Sequence, residues 1–250
     1  MPRFNHVLKY LMKRIITCLT VLFLWLFPIE AQMFSPYMEA GVFGGVCYYL
    51  GDINPRKQLY NPGLSLGELM KYNFTEHHSV RGGIVFGQLK GDDRDFKNEY
   101  QQKRVQGFET SLVEFHVGYE FNFLPYVINR YVKSHTPYIF AGIGYSLIIS
   151  STTWTETEPD IVPAKNHAAI PFGVGYKYRI SESVSLGCEW GMRKTFTDNL
   201  DGILNPGPDG SYAKTHNNDW YSFVGVYATF RIFEKRFSCP GVLPEQKKYR

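Results

Sequence analysis

Charged side chains set among alternating apolar residues are the groups in this sequence most able to do chemistry. Four acids and four bases occupy such positions: Glu39, Glu114, Glu120, Lys177, Arg179, Glu189, Arg193 and Arg231. Opposite charges held away from water either pair, because an unpaired buried charge is costly, or form a relay that conducts protons or ions. Equal numbers of acids and bases favour a paired polar plug over a conduction path, and no wide solute pore is expected.

Other reactive residue types form no recognisable site. His77 and His78 are adjacent in an expected turn, and no acidic or cysteine side chain follows at metal-ligand spacing. Cys47, Cys188 and Cys239 match no zinc motif by their spacing. We therefore predict a non-enzymatic protein with no cofactor and no metal.

The first 31 residues predict a cleaved signal peptide. The basic stretch Arg3–Arg14 precedes the uncharged run Ile15–Phe27, and Ala31 suits the cleavage position. An uncleaved membrane anchor is the alternative, but the 13 residues of that run span only about 20 Å as helix, less than the ~30 Å hydrocarbon core. Removing residues 1–31 leaves 23 basic and 22 acidic side chains. A single net positive charge gives no electrostatic footprint for nucleic acid.

Period-two alternation identifies the elements that must position the charges. Eight segments carry apolar residues on one face and polar, charged or glycine residues on the other: Met38–Leu50, Leu64–Tyr72, Val80–Leu89, Ser111–Asn122, Tyr138–Leu147, Ala168–Ile180, Val184–Arg193 and Phe223–Ile232. Most span ~9–13 residues, whereas strands of globular proteins average about 5–6. This pattern predicts an all-β fold, an eight-stranded antiparallel transmembrane β-barrel over residues 32–233. Inward glycines such as Gly175 and Gly187 would make room for large inward side chains.

Connection lengths predict the orientation of the barrel. Four long connections alternate with three generally shorter ones, and the long ones are Gly51–Gly63, Lys90–Gly107, Ile148–His167 and Phe196–Asn217. Outer-membrane barrels have long extracellular loops and short periplasmic turns, so we expect both termini in the periplasm. Acidic residues in the long loops either are solvated turn residues or hold a divalent cation against anionic outer-membrane lipid: Asp52, Asp92, Asp93, Asp95, Asp198 and Asp201.

The candidate partner-binding surface lies in the periplasmic segments. The connection Phe123–Thr136 is longer than a minimal turn, and it contains Tyr126, Arg130 and Tyr131. Tyrosine and arginine are favoured at protein interfaces. The alternative is that the two tyrosines belong to the aromatic girdle at the membrane edge. Residues 234–250 are predicted as a periplasmic C-terminal tail whose basic side chains complete the surface: Lys235, Arg236, Lys247 and Lys248.

Five runs are more specific than generic barrel alternation. They are EAGVFGGVCYYLGDINP (Glu39–Pro55), GQLKGDD (Gly87–Asp93), YIFAGIGY (Tyr138–Tyr145), AIPFGVGYKY (Ala169–Tyr178) and LGCEWGMRKTFTDNLD (Leu186–Asp201). Together they resemble the PorG family, outer-membrane barrel components of the type IX protein secretion system. The resemblance extends in order from Glu39 through Ile232. It implies an eight-stranded outer-membrane barrel without known enzymatic activity, associated with a periplasmic ring of the PorK lipoprotein and PorN.

Three functions follow from these observations. The resemblance favours a structural barrel that anchors or stabilises the PorK/PorN ring at the outer membrane. A small-solute channel or ligand-binding barrel is the first alternative, because the fold alone does not exclude it. A lipid-modifying barrel enzyme is the second alternative, and no local sequence motif supports it.

Overall fold

The described part of the chain includes all eight predicted strands. The structure, a computed structural model, describes residues 34–51, 53–54, 57–97, 101–102, 105–127, 134–155, 164–196, 200 and 219–234. The predicted signal peptide and the predicted tail beyond Glu234 lie outside the described residues.

Eight antiparallel strands form a closed barrel. They are β1 (Tyr37–Leu50), β2 (Gly63–Asn73), β3 (His78–Asp92), β4 (Gln106–Asn122), β5 (His135–Thr155), β6 (His167–Arg179), β7 (Val184–Thr195) and β8 (Trp220–Glu234). Each strand pairs with the next, and β8 pairs with β1, so the sheet has no open edge. The predicted eight-stranded antiparallel barrel is confirmed.

The two ends of the barrel differ in their connections. The connections after β1, β3, β5 and β7 lie at one end, which we call the long-loop end. The connections after β2, β4 and β6 lie at the other end together with Tyr37 and Glu234, and we call it the short-turn end.

Alternation produces this barrel because it gives each strand one apolar and one polar face. In β2, Leu66 and Met70 are exposed on the outside, whereas Ser65, Lys71 and Asn73 are buried inside. Outward-facing apolar side chains recur around the barrel, including Val117, Ile143, Val174, Val226 and Phe230. A soluble barrel would bury such residues, whereas this apolar exterior matches the hydrocarbon core of a membrane.

Two strands extend at least five residues farther toward the long-loop end than alternation indicates. β5 ends at Thr155 instead of Leu147, and β4 begins at Gln106 instead of Ser111. The additional residues pair with one another, as Gln106 does with Thr155. Serine and threonine dominate this part of β5, so neither face is apolar and the period-two signal disappears, although threonine favours strands.

Helical structure is short in the described residues. A three-residue 3-10 helix, Asp93–Asp95, follows β3. Within the part of the chain that the structure describes, no helix is long and apolar enough to span a membrane.

Large side chains fill the barrel interior, and inward glycines accommodate them. Tyr138 and Tyr227 are almost completely buried. A Cβ atom at Gly175 would overlap the ring of Tyr138, and one at Gly187 would overlap the ring of Tyr227. Glycine at these two positions therefore makes room for two phenol rings.

Candidate functional site

Glu120 is the centre of the first charge cluster inside the barrel. Lys177 Nζ lies 2.6 Å and Lys71 Nζ 2.9 Å from its carboxylate oxygens, and Arg81 Nη1 lies 3.4 Å away. All four side chains are at most 3% exposed. Because β2, β3, β4 and β6 supply these residues, the cluster connects strands across the interior.

Glu189 extends this cluster to β7. Arg81 donates to the Glu189 carboxylate through both terminal nitrogens, at 2.7 and 3.0 Å. The Tyr138 hydroxyl donates to the same carboxylate at 2.9 Å. Bidentate pairing between arginine and a carboxylate is strong and geometrically specific. The Arg81 guanidinium also lies 4.3 Å from the centre of the Phe140 ring, so it makes a cation–π contact besides its hydrogen bonds.

A second cluster surrounds Glu114, closer to the long-loop end. Arg193 Nε lies 3.2 and 3.3 Å from the two carboxylate oxygens, and the Tyr221 hydroxyl donates to the carboxylate at 2.7 Å. The hydroxyl groups of Tyr221 and Ser146 are 2.8 Å apart. The Arg193 guanidinium lies 4.4 Å from the centre of the Phe223 ring. Arg193 and the Tyr221 hydroxyl therefore both contact the Glu114 carboxylate.

A third cluster closes the short-turn end around Arg179. Its Nη2 donates to the Tyr37 hydroxyl at 2.8 Å and to Glu39 Oε1 at 3.2 Å. The Thr229 hydroxyl donates to Glu39 at 3.3 Å. The guanidinium lies between two rings, 5.1 Å from the centre of Tyr37 and 4.6 Å from that of Tyr126. Cation–π contacts of this kind stabilise a desolvated cation.

Tyr126 lies inside the barrel, so its predicted role in direct partner binding is wrong. The residue is 0% exposed, its hydroxyl donates to Ser185 Oγ at 2.7 Å, and its ring lies 4.2 Å from Lys177 Nζ. The aromatic-girdle alternative fails for Tyr126 for the same reason. Inside the barrel the ring contacts Lys177 and Arg179, and such cation–π contacts are strongest when the cation is desolvated.

The phenol of Tyr126 acts as a neutral donor in this position. Burial, followed by the nearby Glu39 carboxylate, raises its pKa well above the usual tyrosine value. The protonated hydroxyl is thus preserved, which fits its hydrogen bond to Ser185.

The predicted interior charges lie inside the barrel, with one at its rim. Seven are buried: Glu39, Glu114, Glu120, Lys177, Arg179, Glu189 and Arg193. Arg231 is half-buried at the short-turn end, opposite Glu39 in the β1–β8 ladder. The remaining candidate partner-binding residues lie outside the described residues: Arg130, Tyr131, Lys235, Arg236, Lys247 and Lys248.

The sequence reasoning missed two buried cations, Lys71 and Arg81. Both occupy inward positions of their strands. The signal that could have identified them is strand parity, the rule that every second residue of a strand faces the same side. In β2 this signal is weak, because Glu68 faces outward and Leu69 faces inward, against the rest of the pattern.

A small cavity in the barrel is lined by residues of both the Glu189 and the Glu114 clusters. It measures about 10 Å³ and is lined by side chains that include Arg81, His116 and Arg193. Neither ring nitrogen of His116 has a hydrogen-bond partner among the described residues, although Nδ1 lies 3.4 Å from Glu114. A polar space of this size suits one water molecule and is too small for a solute.

Reactive side chains elsewhere in the described residues have structural surroundings. The Cys47 thiol is buried and donates to the Gln88 carbonyl at 3.0 Å, whereas Cys188 faces outward. The sequence analysis missed one G-x-S-x-G run, residues 63–67, but its Ser65 lies buried within β2 and not on the exposed strand-to-helix turn that presents a nucleophile. Among the described residues, no three histidine, cysteine or acidic side chains converge on a metal-sized site.

The acidic residues after β3 make hydrogen bonds within their loop. Asp92 caps the 3-10 helix, buried Asp93 accepts from the Gln106 N–H at 3.2 Å, and Asp95 accepts from the Tyr60 hydroxyl at 2.6 Å. Burial and the bond to Asp95 raise the pKa of the Tyr60 phenol. These carboxylates therefore order the loop. The other predicted loop acids lie outside the described residues: Asp52, Asp198 and Asp201.

Most of the chain matches a protein family. A family model described as "Domain of unknown function (DUF6089)" matches residues 13–241. Among curated proteins, none matches the chain.

Several solved outer-membrane barrels are similar to the chain at low sequence identity. Neisserial surface protein A is 10% identical, with a TM-score of 0.42, over 79% of this chain and 97% of that one. The N-terminal barrel domain of Pseudomonas aeruginosa OprF is 11% identical, with a TM-score of 0.39, over 78% and 97%. The Yersinia pestis attachment invasion locus protein Ail is 11% identical, with a TM-score of 0.37, over 80% and 100%. The fold assignment rests on the strand pairing of this chain itself.

Proposed function

The chain belongs to the DUF6089 family, and we propose that it is a structural outer-membrane barrel of a type IX secretion machinery. In this role it ties a periplasmic ring of PorK/PorN-type proteins to the membrane. The filled interior is the observation that carries the proposal, because three charge clusters occupy the space that a pore would need. A barrel whose described interior is filled in this way acts through its surfaces, and the five PorG-like runs indicate which machinery those surfaces serve.

The proposal gives the barrel one orientation. The apolar exterior suits an outer membrane, where closed barrels of this kind span the bilayer. The short-turn end, with the start of β1 and the end of β8, faces the periplasm. The ring can then contact only that end, since the strands themselves are surrounded by lipid.

Phe123 and Leu124 are the described residues that best fit a ring contact. They follow β4 at the short-turn end, and they are 52% and 42% exposed. The Phe123 N–H donates to the Pro137 carbonyl at 3.1 Å, and the Leu124 N–H donates to Thr136 Oγ1 at 3.0 Å. Exposed apolar side chains on a fixed backbone in an aqueous compartment mark an interface.

A crosslinked pull-down tests the proposal. The double variant Phe123→Ser, Leu124→Ser should lower recovery of the ring proteins about tenfold, which corresponds to a loss of ~1.4 kcal/mol of binding free energy. Leu59→Ser is the matched control, since Leu59 is 52% exposed at the long-loop end. Both variants should retain the heat-modifiable band of a folded barrel. Undiminished ring recovery and secretion, in the double variant and after deletion of Pro240–Arg250, would contradict the proposal.

A further inference from the structure

Glu68 presents a carboxylate on the outward face of the barrel, halfway along β2. It is the sixth residue of the 11-residue strand Gly63–Asn73, and its side chain is exposed. Leu66 and Met70, its neighbours on the same face, are 53% and 46% exposed. The carboxylate therefore lies within the apolar exterior and not at its rim.

The strands on either side of Glu68 offer it no partner. Val42 on β1 and Ile84 on β3 flank it in the ladder, and both are exposed apolar residues. No described residue forms a hydrogen bond or an ion pair with Glu68. Other charged residues on the outward face of the described strands lie toward the long-loop end: Lys90, Glu109 and Lys194.

A carboxylate in this position is unfavourable for the isolated barrel. Lipid tails offer its oxygens no hydrogen-bond donor, and charged substitutions on the lipid face of a barrel destabilise most near the midplane, although acidic residues cost less than lysine or arginine. An ionisable side chain within the membrane therefore points to a binding partner.

An apolar groove adjoins Glu68 at Val42. It has a volume of about 570 Å³ and is lined mostly by outward residues of β1, β6, β7 and β8, together with the inward residues Gly187 and Tyr227. Gly44 and Ala228 are among its lining residues, and their small size lets another molecule approach the sheet closely. Because Val42 pairs with both Glu68 and Ala228, the groove and the carboxylate form one continuous face.

We propose that this face, Glu68 together with the groove, docks a second membrane-spanning protein that presents a lysine, arginine or other hydrogen-bond donor to the carboxylate. An acyl chain would fill the groove, but it has no donor at this depth. A second copy of the chain fits poorly, because the described outward face has no cation halfway along a strand to pair with Glu68. The inference goes beyond ring docking and does not rest on it.

Photo-crosslinking in native membranes tests the surface. A photoreactive amino acid replaces Val42, and the same replacement at Ile143, 67% exposed on β5, is the matched control. Val42 should crosslink to one protein, at a position in a membrane-spanning segment next to a cationic or donor side chain. Ile143 should not crosslink to it. Combining the Val42 probe with Glu68→Leu should lower the yield at least fivefold. In a barrel that carries the Val42 probe and Glu68→Lys, replacing the partner's cationic residue with glutamate should restore the crosslink.

Three results of this experiment would overturn the proposal. They are crosslinks to lipid alone, crosslinks to a second copy of the chain, and a yield that Glu68→Leu leaves unchanged.

The stability of the purified barrel provides an independent measurement. In the Glu68→Leu variant, the heat-modifiable band should disappear at a temperature at least as high as in the unchanged protein, because an apolar side chain replaces a charge facing lipid. A lower temperature would assign Glu68 a role in folding and refute the docking role. Loss of ring recovery through Phe123 and Leu124 is a separate result, so the failure of one proposal is distinguishable from the failure of the other.

Discussion

Charged side chains are tolerated inside the barrel because each one pairs with a partner on another strand. Glu189 receives both terminal nitrogens of Arg81 and the hydroxyl of Tyr138. Arg81 in turn approaches Glu120. Removing the Glu189 carboxylate would therefore leave the buried Arg81 guanidinium without its bidentate partner. An unpaired buried charge of this kind destabilises the folded state.

Glu189→Ala should destabilise the folded barrel by about 3–5 kcal/mol, the range expected when a buried ion pair loses one member. The measurement is the temperature at which the heat-modifiable band disappears on gels, which should fall. Glu68→Ala is the matched control, because it removes the same carboxylate from the outward face. Equal downward shifts in the two variants would contradict an essential interior pair at Glu189.

Strand parity explains which interior residues the sequence could predict. Glu114 and Glu189 lie in strongly alternating segments, and the structure places both inside. Their partners could not be predicted, because the pairing of Glu114 with Arg193 crosses from β4 to β7 and depends on barrel closure. Lys71 was missed where the alternation of its strand is interrupted.

At the scale of elements, the described start of the connection after β4 combines exposed apolar residues with one inward anchor. Tyr126 packs inside against Lys177 and Arg179, while Phe123 and Leu124 stay exposed. Alternation identified the eight strands because their two faces meet different surroundings. It could not identify this anchor, since no periodic pattern distinguishes a tyrosine that turns inward from one at an interface.

Tyr126→Ala should destabilise the barrel by about 3–5 kcal/mol, because it removes a fully buried ring that covers two cations. Tyr126→Phe should cost only about 1 kcal/mol, since it loses the hydrogen bond to Ser185 and keeps the ring. Thermal loss of the heat-modifiable band measures both effects. Leu124→Ala, an exposed change in the same connection, should have little effect. A Tyr126→Ala variant that behaves like Leu124→Ala would show that the anchor is dispensable.

At the scale of the whole molecule, the three clusters block the interior in series. Arg179 and Glu39 pair at the short-turn end, Lys71 and Lys177 pair with Glu120, and the Glu114 cluster lies closer to the long-loop end. An eight-stranded barrel is only wide enough for such side chains to fill it. Ions would have to displace several buried pairs in succession to pass.

The purified barrel in planar bilayers should therefore show no steady ion conductance above the lipid background. Tyr126→Ala should also stay silent, because opening the short-turn end leaves the Glu120 and Glu114 clusters in place. The double variant Glu114→Ala, Arg193→Ala removes one cluster and should likewise show no conductance, since the other two clusters still fill the interior. A porin reconstituted in the same bilayers confirms that open barrels are detected. Steady conductance by the unchanged barrel would mean that the clusters exchange partners readily, and it would favour a small-solute channel over a structural barrel.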